Sequence, residues 1–278
     1  MPFVNAQGGR LHYEVHDLAS PWVANPVTIV FHHGIAENLH VWHEWLPHFC
    51  ARYRMVVFDA RGCGQSTSPA QGHDWSLEQF AGDVLDVAQA AGANRFHFIG
   101  ESLGGTVGLY LAAKLGDRLL SLTASNCAAH DGMLQHVAGW RNVIGKHGQR
   151  TWAERMMAQR FHPNTLPQAQ YDWLLEQYAT CSASTVLAQA GLLAEADLTA
   201  QLGAIRVPTL LLCPDAGSFA PAAHAAEMQS LIPGAELQVF AHARDGMLLS
   251  HAASCAQTVA AFLARNTPRA KSDFPAVI

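Results

Sequence analysis

Charge is scarce in this chain of 278 residues: Asp, Glu, Lys and Arg together make up 14%. Acidic residues number 22 against 17 basic ones, for a formal net charge of −5. No basic block is available to neutralise phosphates, which argues against a nucleic-acid partner. Long apolar runs are missing as well. None nears the roughly 20 residues that span a bilayer, so no membrane partner is expected. The opening MPFVNAQGGRLHYEV has no basic segment followed by an apolar one. No signal peptide is therefore expected, and the chain reads as cytoplasmic. The cysteines (Cys50, Cys63, Cys127, Cys181, Cys213, Cys255) form no close pair, which removes a CxxC site and any expectation of a disulfide framework. The 16 histidines include no HExxH or similar grouping, and there is no dinucleotide fingerprint. Neither a metal nor an organic cofactor is expected. What the chain does have is apolar material, 50% of its residues, enough for a large core.

Short apolar runs at 27–31, 55–58, 96–99, 119–124, 209–213 and 237–240 lack the strict alternation of half-buried strands. They read as strands covered on both faces. Helical patterns at 77–91, 103–115, 222–231 and 252–264 lie between them. Ser76 is placed to cap the first of these, with Gln79 at the capping-box position. Such alternation predicts an α/β fold, a mainly parallel sheet with helices on both faces. It breaks between 130 and 204, a stretch rich in Trp, Met, Gln and His with no strand candidate. That stretch reads as an inserted helical cap. The expected division is a core in two parts, 1–129 and 205–265, a cap at 130–204 and a C-terminal tail at 266–278.

Chemistry concentrates in three segments. Gly100-Glu101-Ser102-Leu103-Gly104 follows an apolar strand and opens a helix. A turn that sharp needs small residues two before and two after the serine, and it lifts the hydroxyl above the sheet over a helix N-terminus. Ser102 is the candidate nucleophile. Upstream, Phe31-His32-His33-Gly34-Ile35 ends another strand, with Trp42 beyond it. The backbone N–H groups of Ile35 and Leu103 are the candidate oxyanion donors. His33, Trp42, His130 and Trp140 are candidate pocket residues, although His33 reads more simply as a brace for its loop. Asp131, beside His130, is a further candidate. The third segment, Asp59-Ala60-Arg61-Gly62-Cys63-Gly64-Gln65-Ser66, reads as a structural turn tied by charge-assisted hydrogen bonds.

Through HHGIAENLHVW, FDARGCGQS and GESLGGTVGLYLA the chain resembles the α/β-hydrolase superfamily. The likeness is greatest to the branch of 3-oxoadipate enol-lactonases, small esterases and carbon–carbon bond hydrolases. The resemblance implies a Ser–His–acid mechanism on esters, lactones or related carbonyl compounds. It also implies an acid on the loop after the strand at 209–213, four residues before a proline, and a histidine on the loop after the last strand. Counting back from Pro221 puts Gly217 in the acid slot, with Asp215 two residues early. Counting from the strand end puts Asp245 in the histidine slot, with His242 three residues before it and His251 six after.

The triad therefore looks altered, and three arrangements are open. His242 could serve as base with Asp215 as its acid. Asp245 could face Ser102 and run other acid–base chemistry, although an aspartate of ordinary pKa, about 4, is a weak base near neutrality. Or the pocket could bind without turnover. The reading taken is a hydrolase of a carboxylic ester, lactone or related carbonyl compound that uses Ser102. The alternatives are a lyase, a decarboxylase or a cofactor-free acid–base catalyst using Asp245, and a non-catalytic ligand-binding protein. The expected partner is a small-molecule substrate, and a homodimer is allowed.

Overall fold

The computed structural model describes residues 2–70, 72–130 and 137–268. Most of the expected tail, 269–278, and the entrance to the expected cap, Asp131 included, lie outside the described residues.

The chain opens with a hairpin, β1 (Phe3–Ala6) and β2 (Gly9–His16), turning at Gln7-Gly8 where Gly8 has φ 84°. Then follow β3 (Thr28–His32), β4 (Arg54–Phe58), α1 (Leu77–Ala90), β5 (Phe96–Glu101), α2 (Leu103–Leu115) and β6 (Leu119–Ser125). Four helices come next: α3 (Val137–Arg160), broken at Gly148, α4 (Gln168–Thr180), α5 (Ala183–Glu195) and the short α6 (Thr199–Leu202). The last section is β7 (Thr209–Pro214), α7 (Ala222–Leu231), β8 (Glu236–Phe240), α8 (Met247–Ser250) and α9 (Ala252–Asn266).

The eight strands form one sheet in the order β1-β2-β4-β3-β5-β6-β7-β8, antiparallel at the hairpin end and parallel from β4 to β8. Every residue of β3, β5 and β7 is buried, which explains their unbroken apolar runs. The hairpin is legible only as alternation, Leu11-Tyr13-Val15, and not as a run. Crossovers toward β4 and toward β8 leave β3 in opposite senses. Helices consequently cover both faces: α1 and α2 pack together on one, and α9 joins the turn Leu46–His48 on the other. Ser76 caps α1 by accepting from the Gln79 amide at 3.2 Å, a contact worth about 1 kcal/mol. The Gln79 side chain itself goes to His73.

The order reversal beside β3 opens a crevice at the C-terminal ends of β3 and β5, the usual ligand position in such sheets. Helices α3 and α5 approach this end, with α3 also packed on α4. Among the described residues no helix is long and apolar enough to cross a membrane.

Candidate active site

β5 delivers Ser102 to a one-residue bend before α2. The bend has φ 52° and ψ −113°, a strain on the order of 1–3 kcal/mol. Two glycines make it sterically feasible. A Cβ on Gly100 would lie 2.2 Å from the Gly104 carbonyl oxygen, and one on Gly104 would lie 2.3 Å from that of His32. The bend is held by the Ser102 N–H donating to Ser125 O at 2.9 Å and by Ser102 O accepting from the Thr106 amide at 3.0 Å. Leu103 opens α2, so its amide is one of the N-terminal donors that have no acceptor within the helix.

Beyond β3 the chain folds back over this bend. The His33 ring accepts from the Ala60 amide through Nε2 at 2.9 Å, and its Nδ1 meets Gly34 O at 2.7 Å. That pattern requires the neutral ring, and burial lowers its pKa accordingly. His33 braces the loop. Glu37 accepts from the Gly34 amide at 3.0 Å and from the Tyr178 hydroxyl at 2.9 Å. Trp42 is fully buried between Phe31 and Trp45, at ring distances of 5.0 and 5.3 Å, and belongs to the core.

Ile35 and Ser102 share a partly open cavity of about 30 Å³, room for one or two waters. Its apolar wall is Trp140, Trp152, Met156, Leu193 and Phe219; its polar wall is Asn126, Arg160 and Tyr178. Trp140 meets Trp152 edge to face at 5.2 Å. Among the described residues this wall carries neither a histidine nor a carboxylate.

Directly behind it lies a buried ionic cluster. Arg160, the last residue of α3, reaches Glu101 at 2.9 Å and Glu37 at 3.2 Å. Burial alone would loosen its proton, but Tyr178, Glu101, Glu37 and Asp245 outweigh that and keep it charged. Burial, reinforced by Glu37, pushes the Glu101 carboxyl up to about 8, against the pull of Arg160 and Asn126. Glu101 Oε1 holds Arg160, whereas its buried Oε2 has no partner. This free oxygen and the Ser102 Cβ flank one spot, since a Cβ on Gly34 would lie 2.2 Å from the first and 3.2 Å from the second.

The loops after β7 and β8 are stapled to each other. Asp215 accepts from the amides of His242 and Ala243 at 2.9 and 3.1 Å, contacts that hold its carboxyl below the usual aspartate range. Asp245 reaches back the other way and accepts from the amides of Ser218 and Phe219 at 2.7 and 3.2 Å. Its side chain is buried, and burial raises its pKa despite those donors. The Asp245 carbonyl is held by Asn126 at 3.0 Å and Arg160 at 3.3 Å. A Cβ on Gly217 would stand 3.2 Å from Asp245 Oδ1. The two slots thus do face each other, with the carboxyl of one turned into the other.

This sheet order, the strained serine between Gly100 and Gly104 and the helices set over them agree with a family model for the α/β hydrolase fold, which matches residues 27–252. The chain belongs to the α/β-hydrolase fold family. A curated relative, 3-oxoadipate enol-lactonase 2 of Acinetobacter baylyi, is 26% identical over 75% of this chain and 77% of its own length. Among solved structures, the enol-lactonase from Burkholderia xenovorans LB400 superposes with a TM-score of 0.85 at 22% identity, covering 95% of this chain and 100% of that one. An esterase from Exiguobacterium antarcticum gives 0.84 at 21%, covering 94% and 98%. At that identity the two structures share the fold.

Of the residues singled out from sequence, this α/β-hydrolase brings Ser102, Ile35 and Trp140 to one cavity, with Leu103 adjoining. Asp245 lies behind that wall, bonded to backbone. His242 is exposed at φ 57°, and His251 is half-buried with its Nδ1 2.9 Å from Ser250 Oγ. His130 bridges to Asp197, with Nε2 3.9 Å from Glu227. No grouping of metal ligands occurs among the described residues. Sequence reasoning passed over Glu37, Glu101, Asn126, Arg160 and Tyr178. Glu101 stood inside the Ser102 motif, but a variable position there gives no sign of which way it points. Arg160 is one basic residue in a helix far along the chain.

Proposed function

We propose that this α/β-hydrolase acts on a small carboxylic ester or lactone, with Ser102 as nucleophile and the amides of Ile35 and Leu103 receiving the developing oxyanion. The observation that carries this reading is the strained Ser102 lining a small, partly open and mostly apolar cavity. Strain of that kind persists only where the surroundings enforce it, and here it presents a hydroxyl beside a helix N-terminus. The Ser102 oxygen bonds to the acyl carbon and the bond to the leaving oxygen breaks. The serine proton passes to that leaving oxygen as it departs, and a water that takes the leaving group's place then releases the acid. With no histidine or carboxylate on the described wall, the step lacks the roughly 10²- to 10⁴-fold of a positioned base. Slow turnover on activated substrates is therefore expected.

The same wall favours one second reading, a pocket that binds a carbonyl ligand without turning it over. Asp245 as an acid–base group is less well supported, because its carboxyl oxygens are engaged by Ser218 and Phe219. Incubation with a fluorophosphonate, read by intact mass with Ser102→Ala as control, separates the two. A Ser102-dependent adduct is expected. A folded protein that forms none overturns the nucleophile and leaves the binding reading.

A further inference from the structure

Two thiols far apart in the chain meet where the helices over the cavity rest on the sheet. Cys63 is buried in the turn after β4, and Cys181, half-buried, ends α4 just ahead of α5. The Cys63 turn lies along α5. A Cβ on Gly62 would stand 2.7 Å from the Thr185 methyl, and Gln189 Nε2 donates to Arg61 O at 3.2 Å and to Cys63 Sγ at 3.6 Å. At the start of the same helix the Cys181 and Cys63 thiols share a side-chain hydrogen bond. That contact draws the Cys181 thiol below the usual cysteine range and, together with burial, pushes that of Cys63 up. Cys181 thus combines thiolate character with exposure, the two properties that decide where an oxidant reacts, and a second thiol already touches it.

This junction also bears on access to Ser102. The cavity has room for one or two waters, so an ester reaches Ser102 only when α3, α4 and α5, which carry most of the wall, shift away from the sheet. Tyr178 of that wall lies one turn before Cys181, and Leu193 lies on α5. On the sheet side, the Ala60 amide donates to the His33 ring, which anchors the Cys63 turn to the Ile35 loop. A bond between the two sulfurs would tie the part that moves to the part that does not.

We propose that Cys63 and Cys181 form a reversible disulfide that holds α4 and α5 down on the turn after β4 and closes the way to Ser102. The oxidant is a peroxide. The Cys181 sulfur takes one peroxide oxygen as the O–O bond breaks, giving a sulfenic acid and a first water. The Cys63 sulfur then bonds to the Cys181 sulfur, the S–O bond breaks, and the oxygen leaves with the Cys63 proton as a second water. Two thiols are oxidised and one peroxide is reduced. A dithiol reverses the bond by exchange and itself becomes the disulfide. Closure rests on the reading of Ser102's cavity as the substrate site; the cross-link does not.

The test treats the purified protein with hydrogen peroxide and maps its peptides by mass spectrometry without reduction. A Cys63–Cys181 cross-link is expected, removed by dithiothreitol and absent from Cys181→Ser. Fluorophosphonate labelling of Ser102 should be roughly tenfold slower in the oxidised protein and recover with dithiothreitol, while peroxide leaves the labelling of Cys181→Ser unchanged. Amide hydrogen exchange in α4 and α5 should slow on oxidation, a readout that does not depend on Ser102. Peroxide that yields no cross-link, or carries Cys181 on to a sulfinic acid instead, overturns the proposal. A cross-link that alters neither exchange nor labelling overturns the closure. A cross-link with slowed exchange in a protein that takes no fluorophosphonate even when reduced leaves the lock standing and removes only the nucleophile.

Discussion

The bend at Ser102 and the paired loops after β7 and β8 sit at the same end of the sheet and have been treated very differently. At the bend, two glycines and two backbone hydrogen bonds hold a strained residue whose hydroxyl looks into a cavity. In the loops, every carboxyl oxygen of Asp215 and Asp245 is used to satisfy backbone amides across the gap. One region stores strain at a serine. The other has turned its acidic groups into staples. An aspartate placed near a serine is not thereby available to it; what its oxygens already accept decides what it can do.

The contrast can be broken or sharpened experimentally. Gly100→Ala should cost on the order of 4 kcal/mol or prevent folding, because the added carbon meets the Gly104 carbonyl, and chemical denaturation would measure it. Asp245→Ala strands two largely buried amides and should cost roughly 2–4 kcal/mol, yet leave fluorophosphonate labelling of whatever folds unchanged. A labelling rate that collapses with Asp245 would show a chemical role instead. The double change Gly217→Asp with Asp245→His puts an acid and an imidazole in slots that face each other. Ester hydrolysis should rise about 100-fold, followed with p-nitrophenyl acetate.

A smaller effect concerns Glu101, whose pKa in the fold, about 8, lies above its ordinary value of 4.5. The folded state holds that proton more tightly than the unfolded state, so this contribution to stability is complete below about 4.5 and is lost as pH rises through about 8. Glu101→Gln should therefore raise Tm at pH 8.5 relative to the parent by more than at pH 5. The buried His97, pushed down to about 4 by burial, works the other way: its contribution fades as pH falls below its ordinary 6.5. Comparing the variant with the parent cancels that background. Least of all, His242→Ala should shift stability by no more than about 0.5 kcal/mol and leave labelling untouched, since the ring is exposed and the hydrogen bond to Asp215 comes from the backbone N–H.

Much of this was open to reading along the chain. Buried parallel strands announce themselves as apolar runs, so β3 to β8 and the helices α1, α2, α7 and α9 were found to within a residue or two, whereas 130–204 was read as helical without bounds for α3 to α6. The first hairpin was not, because its half-buried strands carry only a short alternation. Gly100-Glu101-Ser102-Leu103-Gly104 was legible because its geometry is local: spacing and residue size alone dictate the turn. Counting also put Gly217 and Asp245 in opposed slots, and the fold does set them face to face.

By itself, then, the sequence determined the parallel part of the sheet and the bend at Ser102. Only the tertiary structure decided that Asp245 turns onto the Ser218 and Phe219 amides, and that Arg160 arrives from a helix 59 residues beyond Glu101 to close a buried cluster with Glu37. The physical reason is range. A tight turn is settled by sterics among neighbours in the chain. A carboxyl's role depends on which donors, from remote segments, reach its oxygens once water has been excluded.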